Sequence, residues 1–313
     1  MLRRVSNMDK KIKRSGLKRG ARRWIFFLAI VSLPVLQYFF FAIYTKFESV
    51  LMAFQKYKIG KGGYVGSFTW DNFEWAWDVF TSGGDMIGRS LIVMATKMVI
   101  TIGGGLFFSY YAAKKYFMSN FFRVTLYLPQ MLGGIVLVVL YQYLLSDVYI
   151  TLSGDPTGLL DKGADSAFIC VLFYNLWVGF GGNVMVFSTS MSGVNESVVE
   201  AARLEGITPL QEFLYIYIPA IYPTFVTYFI ALIAGVFTDG LQLYTFFAGN
   251  LDRDLYPVVF GHYFFVKTTE AKMVGTVVTY PNLAALGIIF SIILTSIILP
   301  LRKIMLKHGP RED

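Results

Sequence analysis

Six long apolar stretches constrain this chain more than any other feature. Each is long enough, at about 1.5 Å of rise per residue, to cross a hydrocarbon layer ~30 Å thick as a helix. They lie at approximately residues 24–44, 90–113, 124–145, 167–191, 225–247 and 283–301. Charged residues make up only 15% of the 313 residues, whereas soluble domains average ~25%. The sequence therefore predicts an all-α membrane protein with six transmembrane helices.

The distribution of basic residues predicts the orientation of these helices. Ten of the 28 lysines and arginines lie in the first 23 residues, and a cytoplasmic N-terminus puts 18 basic residues inside and nine outside. Cytoplasmic segments of membrane proteins are enriched in Lys and Arg, so we expect both termini to be cytoplasmic. The net charge of +8 is interpreted as a topology signal and a contact with anionic membrane lipid, and nucleic acid is not an expected partner.

The predicted helices divide the chain into consecutive segments. These are a basic cytoplasmic tail at 1–23, the first transmembrane helix and an external loop at 24–86, the main transmembrane domain at 87–301, and a cytoplasmic tail at 302–313. The first external loop mixes tryptophans with carboxylates, which is typical of a short helix at the membrane–water boundary. The last external loop is expected at 248–282.

The sequence offers no catalytic or metal-binding constellation. It contains one cysteine, Cys170, and two histidines, His262 and His308, which the predicted topology separates. Neither a metal cluster nor a histidine-based relay can be assembled from so few ligands. The phosphate-binding pattern G-x-x-x-x-G-K-[ST] is also absent from the sequence. We therefore expect no enzyme activity, no metal and no cofactor, and any ATP must be handled by another chain.

The loop between the fourth and fifth predicted helices carries the most informative motif, NESVVEAARLEGITPLQEFLYIYIPAIYP. Ser197 and Glu200 have the spacing of a capping box that opens a helix, and Gly206 is expected to end that helix. Ala201 and Ala202 are predicted to form a narrow face that permits close approach to a partner. The loop is therefore interpreted as a small helix that enters a groove on another protein.

This motif resembles the EAA loop of the permease subunits of ATP-binding-cassette importers. The matching residues of the 193–220 loop are Glu200, Ala201, Ala202, Gly206, Ile216 and Pro219. The sequence departs from carbohydrate-importing members at Glu205, where Asp is usual, and at Ile207, where Ala is common. Shorter stretches before the main domain, AFQKY at 53–57 and YVG at 64–66 followed by DNF at 71–73, resemble the maltose/glycerol-phosphate branch of that family.

The resemblance implies a type I ABC importer transmembrane domain in a bacterial cell membrane. This permease would form half of a translocation path for a sugar or oligosaccharide. Its partners would be a second homologous permease, a dimer of cytoplasmic ATP-binding subunits and an extracellular or periplasmic solute-binding protein. The residues implied to couple ATP hydrolysis to transport are Glu200, Ala201, Ala202, Arg203, Glu205 and Gly206.

Polar side chains inside the apolar spans indicate where cargo passes, because such residues are unfavourable in a membrane unless they serve a function. Amide and carboxylate groups beside aromatic rings suit the hydroxyls and C–H faces of sugars. The candidate path residues are Asn175, Trp177, Asn183, Asp239, Gln242 and Tyr244. Asp239 is the only carboxylate in a predicted span. It either lines the path or pairs with Lys97 of the second span, and Gly240 beside it permits a helix break.

Two other functions fit part of the sequence. The same kind of importer could carry an amino acid, a polyamine or phosphate, but the predicted spans lack the arginines that anions require and the several carboxylates that polyamines require. An ion-coupled secondary transporter would show inverted repeats or a buried titratable relay. The sequence has no internal repeat, and a single Asp and a single Lys lie in the predicted spans. A carbohydrate importer is therefore the favoured interpretation.

Overall fold

The protein is an assembly of membrane-spanning helices. Its structure, a computed structural model, describes residues 24–60, 63–247, 250–252, 255–274 and 279–310. The predicted basic tail at 1–23 and the last three residues of the predicted C-terminal tail lie outside the described residues. Five described helices are long and apolar enough to cross a membrane, or six if two helices joined by a bend count as one span. The predicted fold class is confirmed.

The described part of the chain begins with an exposed helix, which a small hairpin follows. Helix α1 is Trp24–Ala53, and no residue of its most apolar stretch is buried. Strands β1 (Gln55–Gly60) and β2 (Gly63–Phe68) pair antiparallel, and helix α2 (Asp71–Ser82) follows. The short helix expected in this loop is therefore present, whereas the hairpin was not expected. Asn72 joins these elements, since its Nδ2 donates to carbonyl oxygens at the end of α1 (2.8 Å) and the start of β1 (2.9 Å).

The predicted span at 124–145 is not one continuous helix among the next three helices. Helix α3 is Gly84–Ala113, α4 is Ser119–Met131 and α5 is Gly134–Ser153. A continuous helix over 124–145 is wrong, because residues 132 and 133 are extended, with ψ of 152° and 127°. The two consecutive glycines at this point are poor helix formers. Helix α5 is nevertheless long and apolar enough to cross a membrane without α4.

The following four helices include the loop with the informative motif. Helix α6 is Ala164–Ser192, and the short helix α7 is Glu196–Leu204. Helix α8 (Pro209–Ala220) then meets helix α9 (Tyr222–Ala234) at an angle of 74°. Together α8 and α9 are long and apolar enough to cross a membrane, as one bent span.

The fifth predicted span, residues 225–247, is interrupted. Helix α9 ends at Ala234, and its 13 residues rise only ~20 Å. Residues 235–242 are not helical, and the short helix α10 (Leu243–Phe247) follows them. A continuous helix over this range is therefore wrong. We call residues 235–242 the break.

The last two helices differ from the prediction in different ways. Helix α11 (Phe260–Val274) lies in the segment 248–282 that was predicted as an external loop. Helix α12 (Thr279–His308) is longer than the predicted span at 283–301. The predicted C-terminal tail is therefore helical as far as His308.

Three apolar cores lie along the bundle. At one end, Met86 of α3 and Phe260 of α11 pack with the hairpin region and α12. In the middle, Tyr174 of α6 packs with α3, α5 and α10. At the other end, Phe187 of α6 and Tyr217 of α8 pack with α3 and α7. We call these two ends the hairpin face and the α7 face.

Candidate functional site

Helix α7 is a separate, capped element at the α7 face. Asn195 is its N-cap, with an extended backbone and an Oδ1 that accepts a hydrogen bond from Ser197 N (3.1 Å). The predicted capping box of Ser197 and Glu200 is wrong, because Ser197 already lies inside the helix and its hydroxyl donates to Asn195 Oδ1 (2.9 Å). A capping box instead opens α8, between Thr208 and Gln211.

The end of α7 depends on a glycine. Gly206 follows the helix with φ of 81°, in the left-handed region that other residues adopt only with strain. No atom lies within 4 Å of a Cβ added at this position. Glycine is therefore favoured here by the backbone conformation, and there is room for a larger side chain. The resulting turn separates α7 from α8 in the chain.

Most of the predicted coupling residues are exposed. Val199 is the one buried residue of α7, whereas Glu200, Ala201 and Glu205 are exposed and Ala202 is half-buried. The two alanines therefore do not share one face, since successive residues of a helix point about 100° apart. Exposed apolar side chains are also present on α7 and α8, and we call this set the α7 patch: Val198, Leu204, Leu210 and Tyr215.

Arg203 differs from its neighbours because it contacts a buried carboxylate. Its Nε lies 3.5 Å from Glu212 Oε2, and Lys114 Nζ forms an ion pair with Glu212 Oε1. The side chains of Lys114 and Glu212 are only 6% and 5% exposed. Burial, and secondly the charge of Arg203, lowers the pKa of Lys114 to about 8, so its ammonium remains charged at neutral pH. We call these three residues the ion triad.

Two tyrosine rings lie beside the lysine of the ion triad. The ring centroids of Tyr110 and Tyr217 lie 5.7 and 5.5 Å from Lys114 Nζ, a distance at which a cation is attracted to an aromatic face. The Tyr110 hydroxyl donates to the carbonyl oxygen of Pro209 (3.1 Å). The start of α8 is therefore fastened to the end of α3. Lys114 and Glu212 were not among the predicted site residues, because no local pattern pairs them.

The break in the fifth span is the second candidate site. Asp239 Oδ2 forms an ion pair with Lys97 Nζ of α3, and its Oδ1 accepts a hydrogen bond from Leu241 N (3.0 Å). Of the two alternatives weighed for Asp239, the pair with Lys97 is present. Leu241 and Gln242 have φ of 51° and 56°, and such left-handed residues are held only by strong surrounding contacts.

Neighbouring helices supply these contacts. Asn175 Nδ2 of α6 donates to the carbonyl oxygen of Leu241 (3.0 Å), and Gln142 Nε2 of α5 donates to that of Phe246 (2.8 Å). Gly261 of α11 packs so closely on the break that a Cβ added to Gly261 would collide with the backbone of Asp239 and Gly240. Gln142 and Gly261 were not among the predicted site residues. A polar side chain inside a span was a usable signal for Gln142, whereas no sequence pattern indicated Gly261.

The structure gathers only part of the predicted path residues. Gln242 and Tyr244 line a cavity of about 270 Å³ beside the break. Asn183 lines a different cavity of about 290 Å³, formed with residues of α4 and α9. Trp177 is 41% exposed and lies in neither cavity. Among the described residues, no group of three His, Cys, Asp or Glu side chains could hold a metal ion.

Known permeases are similar to this chain over much of its length. The probable ABC transporter permease protein MG188 of Mycoplasma genitalium is 26% identical over 181 residues, which are 53% of this chain and 53% of that protein. The probable starch degradation products transport system permease protein AmyD of Thermoanaerobacterium thermosulfurigenes is 24% identical over 59% of this chain and 66% of that protein. The chain thus spans about half to two thirds of the length of these relatives.

The fold matches a solved transporter. A chain in the crystal structure of a bacterial alginate ABC transporter, in complex with an alginate pentasaccharide-bound periplasmic protein, superposes with a TM-score of 0.65 at 17% identity. The superposition covers 90% of this chain and 94% of that chain. The predicted transmembrane fold is therefore confirmed.

Family membership follows from the sequence between α3 and the end of α12. Residues 88–305 match the family described as binding-protein-dependent transport system inner membrane component. The match covers more than half of the chain and includes both α7 and the break. The resemblance drawn from the motif is thus confirmed, and the chain is a multi-pass transport subunit. It belongs to the binding-protein-dependent transport system inner membrane components.

Proposed function

We propose that this chain forms one half of the translocation path of an ATP-driven importer for a sugar or oligosaccharide. The observation that carries the proposal is α7, a capped helix that projects from the bundle beside exposed apolar side chains. AmyD, named for starch degradation products, and the alginate transporter support carbohydrate cargo. Since the chain has no phosphate-binding loop, ATP hydrolysis belongs to separate ATP-binding subunits.

The α7 patch is the proposed contact with an ATP-binding subunit. Its most exposed members are Leu204, at 91%, and Tyr215, at 74%. Exposed apolar side chains are typical of protein interfaces when they form one patch, and Glu200 and Glu205 would supply the polar rim that surrounds such contacts. The α7 face is then cytoplasmic, in agreement with the excess of basic residues expected on that side.

The break is the proposed point at which cargo passes. Non-helical backbone at membrane depth is tolerated where protein or a water-filled cavity satisfies its peptide groups, and the break borders a cavity of about 270 Å³. Gln242 and Tyr244 offer this cavity an amide and an aromatic ring, which suit sugar hydroxyls and C–H faces. A solute-binding protein would deliver cargo at the hairpin face, and a second permease would complete the path.

A substitution on the exposed side of α7 tests the proposed contact. Ala201→Trp should detach the ATP-binding subunits, because overpacking of a close contact costs typically ~1–3 kcal/mol. Ala29→Trp, at an exposed position of α1, is the matched control and should retain them. The measurement is co-purification of the ATP-binding subunits with the permease in membranes. Normal co-purification of Ala201→Trp would show that α7 is not the contact.

The class of cargo is tested with the reconstituted complex and its binding protein. Malto-oligosaccharides, alginate oligosaccharides, glutamine and spermidine would be offered separately, and stimulation of ATP hydrolysis would be measured for each. We expect stimulation by an oligosaccharide and none by glutamine or spermidine. Stimulation by the amino acid or the polyamine alone would favour the alternative cargo.

A further inference from the structure

Helix α3 carries a paired lysine at each of the two candidate sites. Lys97 lies at its middle and pairs with Asp239 of the break, while Lys114 follows its last residue and pairs with Glu212 of α8. The two lysines are separated by ~25 Å along the helix axis. One continuous helix therefore connects the loop that contains α7 with the interrupted fifth span.

At the α7 face, the Lys114–Glu212 pair is almost fully buried, whereas Arg203 is half-exposed. Arg203 belongs to the last turn of α7, and Glu212 belongs to the first turn of α8. Glu212 contacts both Arg203 and Lys114, so one carboxylate joins three segments of the chain. Separating a buried charge pair is strongly unfavourable, because each charge would remain without its partner. The end of α3 and the start of α8 are thus expected to move together, and Arg203 joins α7 to them.

At the break, the connection reaches backbone of unusual conformation. Lys97 contacts Asp239 Oδ2, and the other oxygen of the same carboxylate accepts the hydrogen bond from Leu241 N. Leu241 is one of the two consecutive left-handed residues of the break. Residues in such strained conformations change their φ and ψ when the contacts that hold them change. A displacement of Lys97 would therefore act directly on the backbone beside the 270 Å³ cavity.

We propose that Lys114 and Glu212 are positioning residues that transmit the movement of α7 to α3, and that α3 passes it through Lys97 to the break. The inference rests on the proposed function, in which α7 receives movement from the ATP-binding subunits. It adds that this movement reaches the cargo path through the second span, and not only along α8 and α9. A test of this route changes the ion triad at the α7 face and measures the response at the break.

The experiment measures the accessibility of the break in variants of the ion triad. Because Cys170 is the only cysteine of the chain, Cys170→Ser provides a cysteine-free background, and Thr238→Cys places a reporter at an exposed position within the break. Maleimide labelling of the assembled complex would be measured with and without a non-hydrolysable ATP analogue. In the parent, nucleotide should change the labelling rate by at least about threefold, since it shifts the population of two states. Glu212→Gln should abolish this change while the ATP-binding subunits still co-purify.

Two further variants separate transmission from folding. The charge exchange Lys114→Glu with Glu212→Lys should restore at least part of the nucleotide response, because it restores one ion pair at the same place. Lys97→Met should abolish the response with the triad intact. An unchanged response in Glu212→Gln or Lys97→Met would overturn the inference. Loss of the ATP-binding subunits from both Glu212→Gln and the charge exchange would also overturn it, since the triad would then only fold α7.

Failure of the proposed function gives a different result. In that case Ala201→Trp retains the ATP-binding subunits, and the parent itself shows no response to nucleotide, which defeats the inference as well. If only the inference fails, the parent responds, Ala201→Trp loses the ATP-binding subunits, and Glu212→Gln responds like the parent.

Discussion

The two ion pairs on α3 have the same chemistry and very different surroundings. Lys114 and Glu212 are 6% and 5% exposed and have Arg203 as a third member. Lys97 and Asp239 are 17% and 34% exposed and border a cavity of about 160 Å³. The cavity leaves room for water to replace a partner in the second pair, whereas the first pair is almost fully buried. We therefore expect the first pair to be a permanent joint and the second to open during transport.

The largest expected effect is that of Glu212→Ala. It leaves Lys114 and Arg203 without a carboxylate, and removal of one member of a buried pair costs about 3–5 kcal/mol. Asp239→Ala should cost less, on the order of 1 kcal/mol, because water can solvate Lys97. The thermal unfolding midpoints of the two purified variants in the same detergent check this order. Equal shifts of the two midpoints would contradict the expected difference between the buried pair and the more exposed pair.

A double substitution sharpens the same comparison. Lys114→Met with Glu212→Leu should recover most of the stability that Glu212→Ala loses, because apolar side chains often replace a buried ion pair at little cost. The half-exposed Arg203 can then turn to water. Uptake of the oligosaccharide identified in the cargo test should remain low, since an apolar contact lacks the directional link between α7 and α3. Normal uptake by this stable variant would assign the charges a structural role alone.

Asp239→Asn changes the pair at the break without removing its backbone contact. The amide oxygen can still accept from Leu241 N, but the side chain no longer neutralises Lys97. We expect about a tenfold loss of uptake, which corresponds to ~1.4 kcal/mol in the transport step, with normal assembly of the complex. Asp165→Asn is the matched control, because its carboxylate is 94% exposed. Unchanged uptake in Asp239→Asn would remove Asp239 from the proposed path.

Substitutions at Gly206 test the backbone conformation of the turn after α7. Gly206→Ala should cost about 1–2 kcal/mol, because alanine is strained in the left-handed region, and Gly206→Asn should cost less, since Asn tolerates that region better. Gly84→Ala is the control, because it has neither a positive φ nor a neighbour within 4 Å of its Cβ. The unfolding midpoint and co-purification of the ATP-binding subunits would be measured. A Gly206→Ala variant that matches Gly84→Ala would show that the turn relaxes without cost.

The same pattern of apolar residues predicted some spans well and others poorly. The predicted spans at 90–113 and 167–191 correspond to α3 and α6. The predicted span at 225–247 is interrupted although most of its residues are apolar. Hydropathy is averaged over a window, so it reports how favourable a segment is in lipid. It does not report whether the helix is continuous, because that depends on contacts such as those of Asn175 and Gly261 with the break.

The sequence by itself determined the membrane-spanning class, the family and the glycine turn after α7. Each follows from local properties, namely the length of apolar runs, a short motif and the φ that one residue can adopt. Only the tertiary structure decided which polar side chains meet. Lys97 and Asp239 are 142 positions apart, and Glu212 becomes buried only where α3, α7 and α8 converge. The energy of a buried charge is set by partners within a few ångströms, and helix packing, which no local pattern encodes, selects those partners.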